Sequence, residues 1–209
     1  MVRVKVCGIT TMDNALMAVE AGADALGFVF FRGSPRFISP EQAAAIIRNL
    51  PPFVQMVGLF VNEDPVMVNS VADHCCLDLV QLHGDESPDY CATIKRRLIK
   101  AFRVKDASSL EALPDYPVAA CLLDAWSPAA RGGTGTTFNW DIAARAAAER
   151  PIILAGGLTP ENVAEAIATV KPYAVDVSSG VEIAAGKKDA ALVRAFIRTA
   201  RYHSQESSP

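Results

Sequence analysis

A cysteine, an aspartate, an arginine, a histidine and two glycine-rich turns are the residues of this sequence best suited to chemistry. Cys7 closes the apolar stretch 2–7 and is followed by Gly8. Residues two apart share one face of a strand, so Lys5 and Cys7 point the same way. A thiol beside a cation and a glycine turn can serve as a reactive thiolate; a buried thiol acting as a small hydrophobe is the plainer alternative. Asp124 ends the apolar run Leu122-Leu123-Asp124, where a carboxylate is costly to bury without a purpose or a partner. A cap or a salt bridge is its ordinary alternative. Arg36 follows Gly33-Ser34-Pro35 and can offer a planar fork to a substrate carboxylate, as against a merely solvated loop arginine. His83, in Gln81-Leu82-His83-Gly84, reads as substrate-lining, since no carboxylate spacing nearby suggests a metal.

The two turns suit an anion. Ala155-Gly156-Gly157-Leu158 and Val177-Ser178-Ser179-Gly180 each follow an apolar run. Glycine lets backbone N–H groups approach a phosphate, and a short helix starting near Ser179 would point its positive end there. Gly156, Gly157, Leu158, Ser179 and Gly180 are therefore the candidate phosphate-binding residues, although either turn alone would pass for a tight connection.

These residues need a scaffold that brings strand ends together. Apolar, β-branched or aromatic runs occupy 2–7, 25–30, 54–61, 77–82, 98–102, 118–124, 151–155 and 173–177. Helix starts lie between them: Ser39-Pro40, Asp64-Pro65, Ser87-Pro88 and Thr159-Pro160 each pair a capping side chain with proline at the first helical position. Thr10-x-x-Asp13, Asp106, Asn139 and Asp189 supply four further caps. Eight strands alternating with eight helices predict parallel pairing with the helices outside. Near-equal units favour a closed α/β (β/α)8 barrel, the TIM barrel, over an open doubly wound sheet. The expected domain is residues 1–203, with 204–209 a fraying polar tail. One connection is long: 125–137 holds Arg131-Gly132-Gly133-Thr134-Gly135, and a loop of that length is more often functional than passive. Gly133 and Gly135 are its candidate substrate contacts.

Composition removes several classes. In 209 residues, 51% are hydrophobic and 21% charged, enough for one sizeable core. Net charge is −3 with scattered lysines and arginines, which suggests neither a nucleic-acid nor a membrane partner. No run approaches the roughly 18 apolar residues of a membrane span. Five cysteines without CxxC spacing favour a reducing cytoplasm over a disulfide framework. His74-Cys75-Cys76 lacks a second cluster to complete a metal site and reads as structural thiols at a helix end.

Taken in order, Lys5-Val-Cys-Gly8, Ser34-Pro-Arg36, Gln81-Leu-His-Gly84, Leu123-Asp124, Gly132-Gly-Thr-Gly135, Ala155-Gly-Gly-Leu158 and Asp176-Val-Ser-Ser-Gly-Val-Glu182 closely resemble the phosphoribosylanthranilate isomerase family of tryptophan biosynthesis. Each motif alone is weak; the ordered set covers essentially the whole chain. The resemblance implies that Cys7 is the catalytic base, Asp124 the catalytic acid and Arg36 the contact to the anthranilate. Two positions depart from the family. Phe138-Asn139-Trp140 stands where the family has Phe-Asp-Trp, and Ala185 precedes Gly186 where the family usually has proline.

The implied reaction is an Amadori rearrangement of an N-linked aldose phosphate to an aminodeoxyketose. Ring opening needs an acid at the furanose oxygen, so Asp124 would carry a proton as substrate reacts. The iminium so formed activates the sugar C2 proton for a Cys7 thiolate, whose ionisation would be promoted by Lys5, another cation or the substrate itself. The substrate nitrogen is the electron sink, so no cofactor and no metal are expected. The expected partner is the small-molecule substrate alone, with the oligomeric state left open. Two other readings remain: a phosphate-binding lyase or synthase using Lys5, and a non-catalytic sugar-phosphate sensor.

Overall fold

Alternation along each strand builds this molecule, because parallel strands covered on both sides bury both faces. The computed structural model describes residues 1–125 and 140–206. The long loop with Gly133 and Gly135, and the expected cap Asn139, fall outside them. The order is β1 (Arg3–Cys7), α1 (Met12–Glu20), β2 (Ala25–Val29), α2 (Pro40–Ile47), β3 (Gln55–Phe60), α3 (Pro65–His74), β4 (Leu79–Leu82), α4 (Pro88–Ala92) and β5 (Arg97–Val104). Then come β6 (Ala120–Ala125), α5 (Trp140–Glu149), β7 (Ile152–Leu154), α6 (Val163–Val170), β8 (Ala174–Val177), a hairpin of β9 (Glu182–Ala184) and β10 (Lys187–Lys188), and α7 (Ala190–Glu206).

Strands β1 to β8 form a closed parallel barrel, as expected. β1 closes the ring, pairing with β2 through Lys5↔Ala25 and with β8 through Lys5↔Asp176. One face of each strand points into the barrel. There Val57, Ile99, Ala101, Ala120, Leu122, Ile153, Ala155 and Ala174 fill the interior. The alternate positions, such as Val4, Val6, Leu26, Phe28 and Leu154, pack outward with Ala18, Val68, Val163 and Phe196 of the helices. Each such side chain contributes about 1.5–3 kcal/mol on leaving water. The buried positions of the interior face turn polar toward the C-terminal half of the strands, at Lys5, Cys7, Gln81, His83, Asp124 and Asp176.

Ser39, Asp64 and Ser87 cap their helices as the sequence suggests, each with proline following. Asp189 accepts from the amides of Ala191 and Leu192 at the start of α7. Other expectations need correction. Thr11, not Thr10, caps α1; Thr10 Oγ1 instead donates to the Gly186 carbonyl at 2.7 Å. Between β5 and β6 there is no α-helix, only 3-10 turns at Ala107–Leu110 and Leu113–Asp115. Pro114 and Pro117 interrupt the backbone ladder, while Ser109 Oγ accepts from the Lys105 and Asp106 amides. The Thr159-Pro160 start is a turn, and α6 begins at Val163. The last helix continues to Glu206, past the expected end of the domain at 203. The β9–β10 hairpin was not foreseen. Among the described residues, no helix is long and apolar enough to cross a membrane.

Candidate active site

The C-terminal ends of the strands open into a cavity of about 570 Å³. Cys7, Arg36, His83, Asp124, Gly156, Gly157, Leu158, Ser179 and Gly180 all line it. Residues spread over some 170 positions of chain thus meet because parallel strands deliver every C-terminal end to one rim. One wall is apolar, where Val29 and Leu59 pack with Cys7, and Phe31 and Val61 extend the same surface.

On β1, Cys7 is almost fully buried and unpaired with any other cysteine. Gly27 on β2 makes room for it: a Cβ there would lie 2.7 Å from Cys7 Sγ. Lys5, one layer deeper, sits 2.9 Å from Asp176 Oδ1, and both side chains are buried. The pair is close, but its angles fall outside hydrogen-bond geometry, so the contact is chiefly one of charge. Burial pulls the Lys5 ammonium down, yet Asp176 and Cys7 outweigh it and the lysine stays above its ordinary value. Burial likewise raises the Asp176 carboxyl, with Lys5 opposing. Burial pushes the Cys7 thiol up and Asp176 adds to that; Lys5 and Lys188 pull the other way without prevailing. Lys5 is therefore a cation already paired with Asp176, and its pull on Cys7 does not overcome burial.

Asp124, also buried, ends the inward face of β6. His83 Nε2 lies 3.3 Å from Asp124 Oδ2, near but angled away from a full hydrogen bond. The Gln81 amide nitrogen faces His83 Nδ1 at 3.0 Å, a contact in which the donor and acceptor depend on the imidazole tautomer.

Arg36 is held rather than solvated. Its Nε approaches Glu182 Oε1 and Oε2 at 3.0 and 3.1 Å, and Nη2 donates to Oε2 at 2.7 Å. Glu182 also accepts from Lys188 Nζ at 2.7 Å. Burial alone would raise the Glu182 carboxyl; Arg36 and Lys188 together bring it below its ordinary value. Burial lowers the Lys188 ammonium, with Glu182 opposing.

The two glycine turns press against each other. Gly156 and Gly157 have φ of +80° and +66°, a left-handed pair that side chains rarely adopt. A Cβ on Gly180 would lie 1.9 Å from the Leu158 carbonyl oxygen. Ser179–Val181 is a single 3-10 turn, shorter than the helix expected there. Asn162 fixes the first turn, accepting from the Thr159 amide at 2.8 Å and donating to the Gly157 carbonyl at 2.9 Å.

Gln81, Asp176 and Glu182 stand in the sequence only as members of motifs, without a role of their own, and the cavity-lining Arg103, with Asn162 and Lys188, carries no sequence signal that singles it out. Inward alternation on β8 and β4 would have exposed Asp176 and Gln81. Nothing local marks Glu182 as the holder of Arg36, which lies 146 positions away in sequence.

A closed (β/α)8 barrel with polar, partly charged groups converging on its C-terminal rim defines the class: a barrel enzyme. A sequence profile of the N-(5'-phosphoribosyl)anthranilate (PRA) isomerase family matches residues 4–199. The N-(5'-phosphoribosyl)anthranilate isomerase of Geobacter sulfurreducens is 69% identical over 201 residues, 96% of this chain and 99% of the relative. The phosphoribosyl anthranilate isomerase structure from Thermotoga maritima superposes with a TM-score of 0.90 at 47% identity, covering 97% of this chain and all of that one. A further isomerase structure, in complex with reduced 1-(o-carboxyphenylamino)-1-deoxyribulose 5-phosphate, gives 0.88 at 45% identity, with 97% and 100% covered. The chain belongs to the PRA isomerase family.

Proposed function

We propose that this enzyme converts N-(5'-phosphoribosyl)anthranilate to 1-(2-carboxyphenylamino)-1-deoxyribulose 5-phosphate, a step of tryptophan biosynthesis, in the cytoplasm. The observation that carries the reading is the meeting of a thiol, a carboxyl group, a held arginine and two interlocked glycine turns around one cavity. The glycine turns take the phosphate. The apolar wall of Val29 and Leu59 seats the aromatic ring, and Arg36 takes its carboxylate. The relative solved with a reduced carboxyphenylamino-deoxyribulose phosphate supports a ligand with those three parts.

Asp124 protonates the furanose oxygen, the C1–O bond breaks, and the nitrogen lone pair closes a C1=N iminium. Cys7 as thiolate removes the C2 proton; the C–H electrons form C1=C2, and the C=N pair returns to nitrogen. The enaminol then ketonises, with no net oxidation. Because burial favours the thiol, the positive charge created at the iminium is what promotes the thiolate. Lys5 is a poor candidate for the working group of a lyase, being engaged by Asp176 below the cavity lining.

The test is loss of phosphoribosylanthranilate fluorescence on adding enzyme, run against a blank because the substrate is labile. Decay at the blank rate at saturating enzyme would overturn the assignment.

A further inference from the structure

The β9–β10 hairpin takes no part in the barrel, yet it carries two buried charges that meet at the rim. Glu182 on β9 engages Nε and Nη2 of Arg36. The other terminal nitrogen, Nη1, stays outside that pair, on a residue that lines the cavity. Lys188 on β10, fully buried at its side chain, donates from Nζ to Glu182 Oε1, to the Cys7 carbonyl and, at 3.2 Å, to the Ser178 carbonyl. One ammonium thus joins the end of β1, the turn after β8 and the carboxylate that holds Arg36. The Arg36 stem is fixed from below as well: a Cβ on Gly8 would lie 2.6 Å from its Cδ.

Arg36 with Glu182 alone is a neutral pair, with little attraction for an anion. Adding Lys188 leaves the trio with one net positive charge, buried where water screens it weakly. Its planar fork stays locked in one direction.

We propose that Glu182 and Lys188 are positioning residues that hold Arg36 for a substrate carboxylate, so that this hairpin sets selectivity for acidic arylamine sugar phosphates. The inference rests on Arg36 being the carboxylate contact. Neither residue touches the reacting atoms; both act through Arg36.

The test compares two substrates, phosphoribosylanthranilate and its analogue made from aniline and ribose 5-phosphate, which lacks the carboxylate. The enzymes are wild type, Arg36→Ala, Glu182→Gln and Glu182→Asp, with folding followed by circular dichroism and melting. Glu182→Gln should raise KM for the carboxylated substrate about 10- to 100-fold, the weight of a charge-assisted contact, with a smaller change in kcat. It should leave KM for the aniline analogue and inhibition by inorganic phosphate within about twofold. Glu182→Asp keeps the charge but is one methylene too short to reach Arg36 from β9, so it should lose the same preference even if the glutamine variant folds poorly. If Arg36→Ala abolishes the preference while both Glu182 variants keep it, the positioning role is wrong and the Arg36 contact stands. If Arg36→Ala itself keeps the preference, the carboxylate assignment falls, and this inference with it.

Discussion

Replacing Gly180 with alanine probes the candidate phosphate grip at its tightest point. The backbone there is not left-handed, so the new methyl brings no torsional strain. It collides with the other turn instead. The added Cβ would lie 1.9 Å from the Leu158 oxygen and 3.0 Å from its carbon, both backbone atoms. Unstrained contacts sit near 3.5 Å, so the turns would have to part by roughly 1.5 Å. Displacements of about 1 Å in a positioning element typically cost about a hundredfold in rate, or about 2.7 kcal/mol of transition-state stabilisation. Stability should fall by about 1–3 kcal/mol, as for other overpacked sites. The assays are kcat/KM, competitive inhibition by inorganic phosphate, and the rise in melting temperature that phosphate gives. Wild type should be stabilised by phosphate by ordinary mass action, and the variant should lose most of that rise. A folded Gly180→Ala protein with wild-type KM and wild-type phosphate inhibition would show that these turns do not hold the phosphate.

Other consequences are sharper in chemistry than in geometry. Cys7→Ala and Asp124→Asn should each lower kcat by about 100-fold or more without a comparable change in phosphate inhibition; steady-state kinetics would decide it, and near-normal turnover in either would remove that residue from its role. In the free enzyme Cys7 should alkylate with a midpoint above the ordinary thiol value of 9.0, followed by peptide mapping of the modified site across pH; a midpoint below it would mean that Lys5 does activate the resting thiol. Burial raises Cys75 and Cys121 to about 11. The unfolded chain therefore loses these protons first as pH climbs, and folding stability should fall between about pH 9 and 11. Denaturant titrations of the Cys75→Ala, Cys121→Ala double variant should show a shallower decline. Leu122→Ala, inside the barrel and fully buried, should cost about 2–5 kcal/mol in urea unfolding.

The barrel was legible because its signals are local. Apolar runs alternate with capped helix starts, and Ser39, Asp64 and Ser87 cap as their sequence context implies. Local signals also misled. The Asp106 cap begins a 3-10 turn because the prolines downstream deny it a helix, and Thr159-Pro160 opens a turn that Asn162 ties to the Gly157 carbonyl before α6 starts. Strand-end residues such as Cys7, Asp124 and His83 could be found one at a time, since each follows an apolar run.

By itself, then, the sequence determined the alternation of strands and helices, the rim positions of the candidate site residues, and the family to which their order points. It could not supply pairwise proximity. Lys5 reads as a cation beside Cys7, but the β1–β8 register sets it opposite Asp176, and that pairing with burial leaves the Cys7 thiol raised. Arg36 reads as a free fork, but the hairpin brings Glu182 to it across 146 positions of chain, with Lys188 on the same carboxylate. The physical reason is common to both. Charge interactions depend on distance and burial, and in a closed barrel those are fixed by strand register and by the closure of the last unit on the first, not by neighbours in sequence.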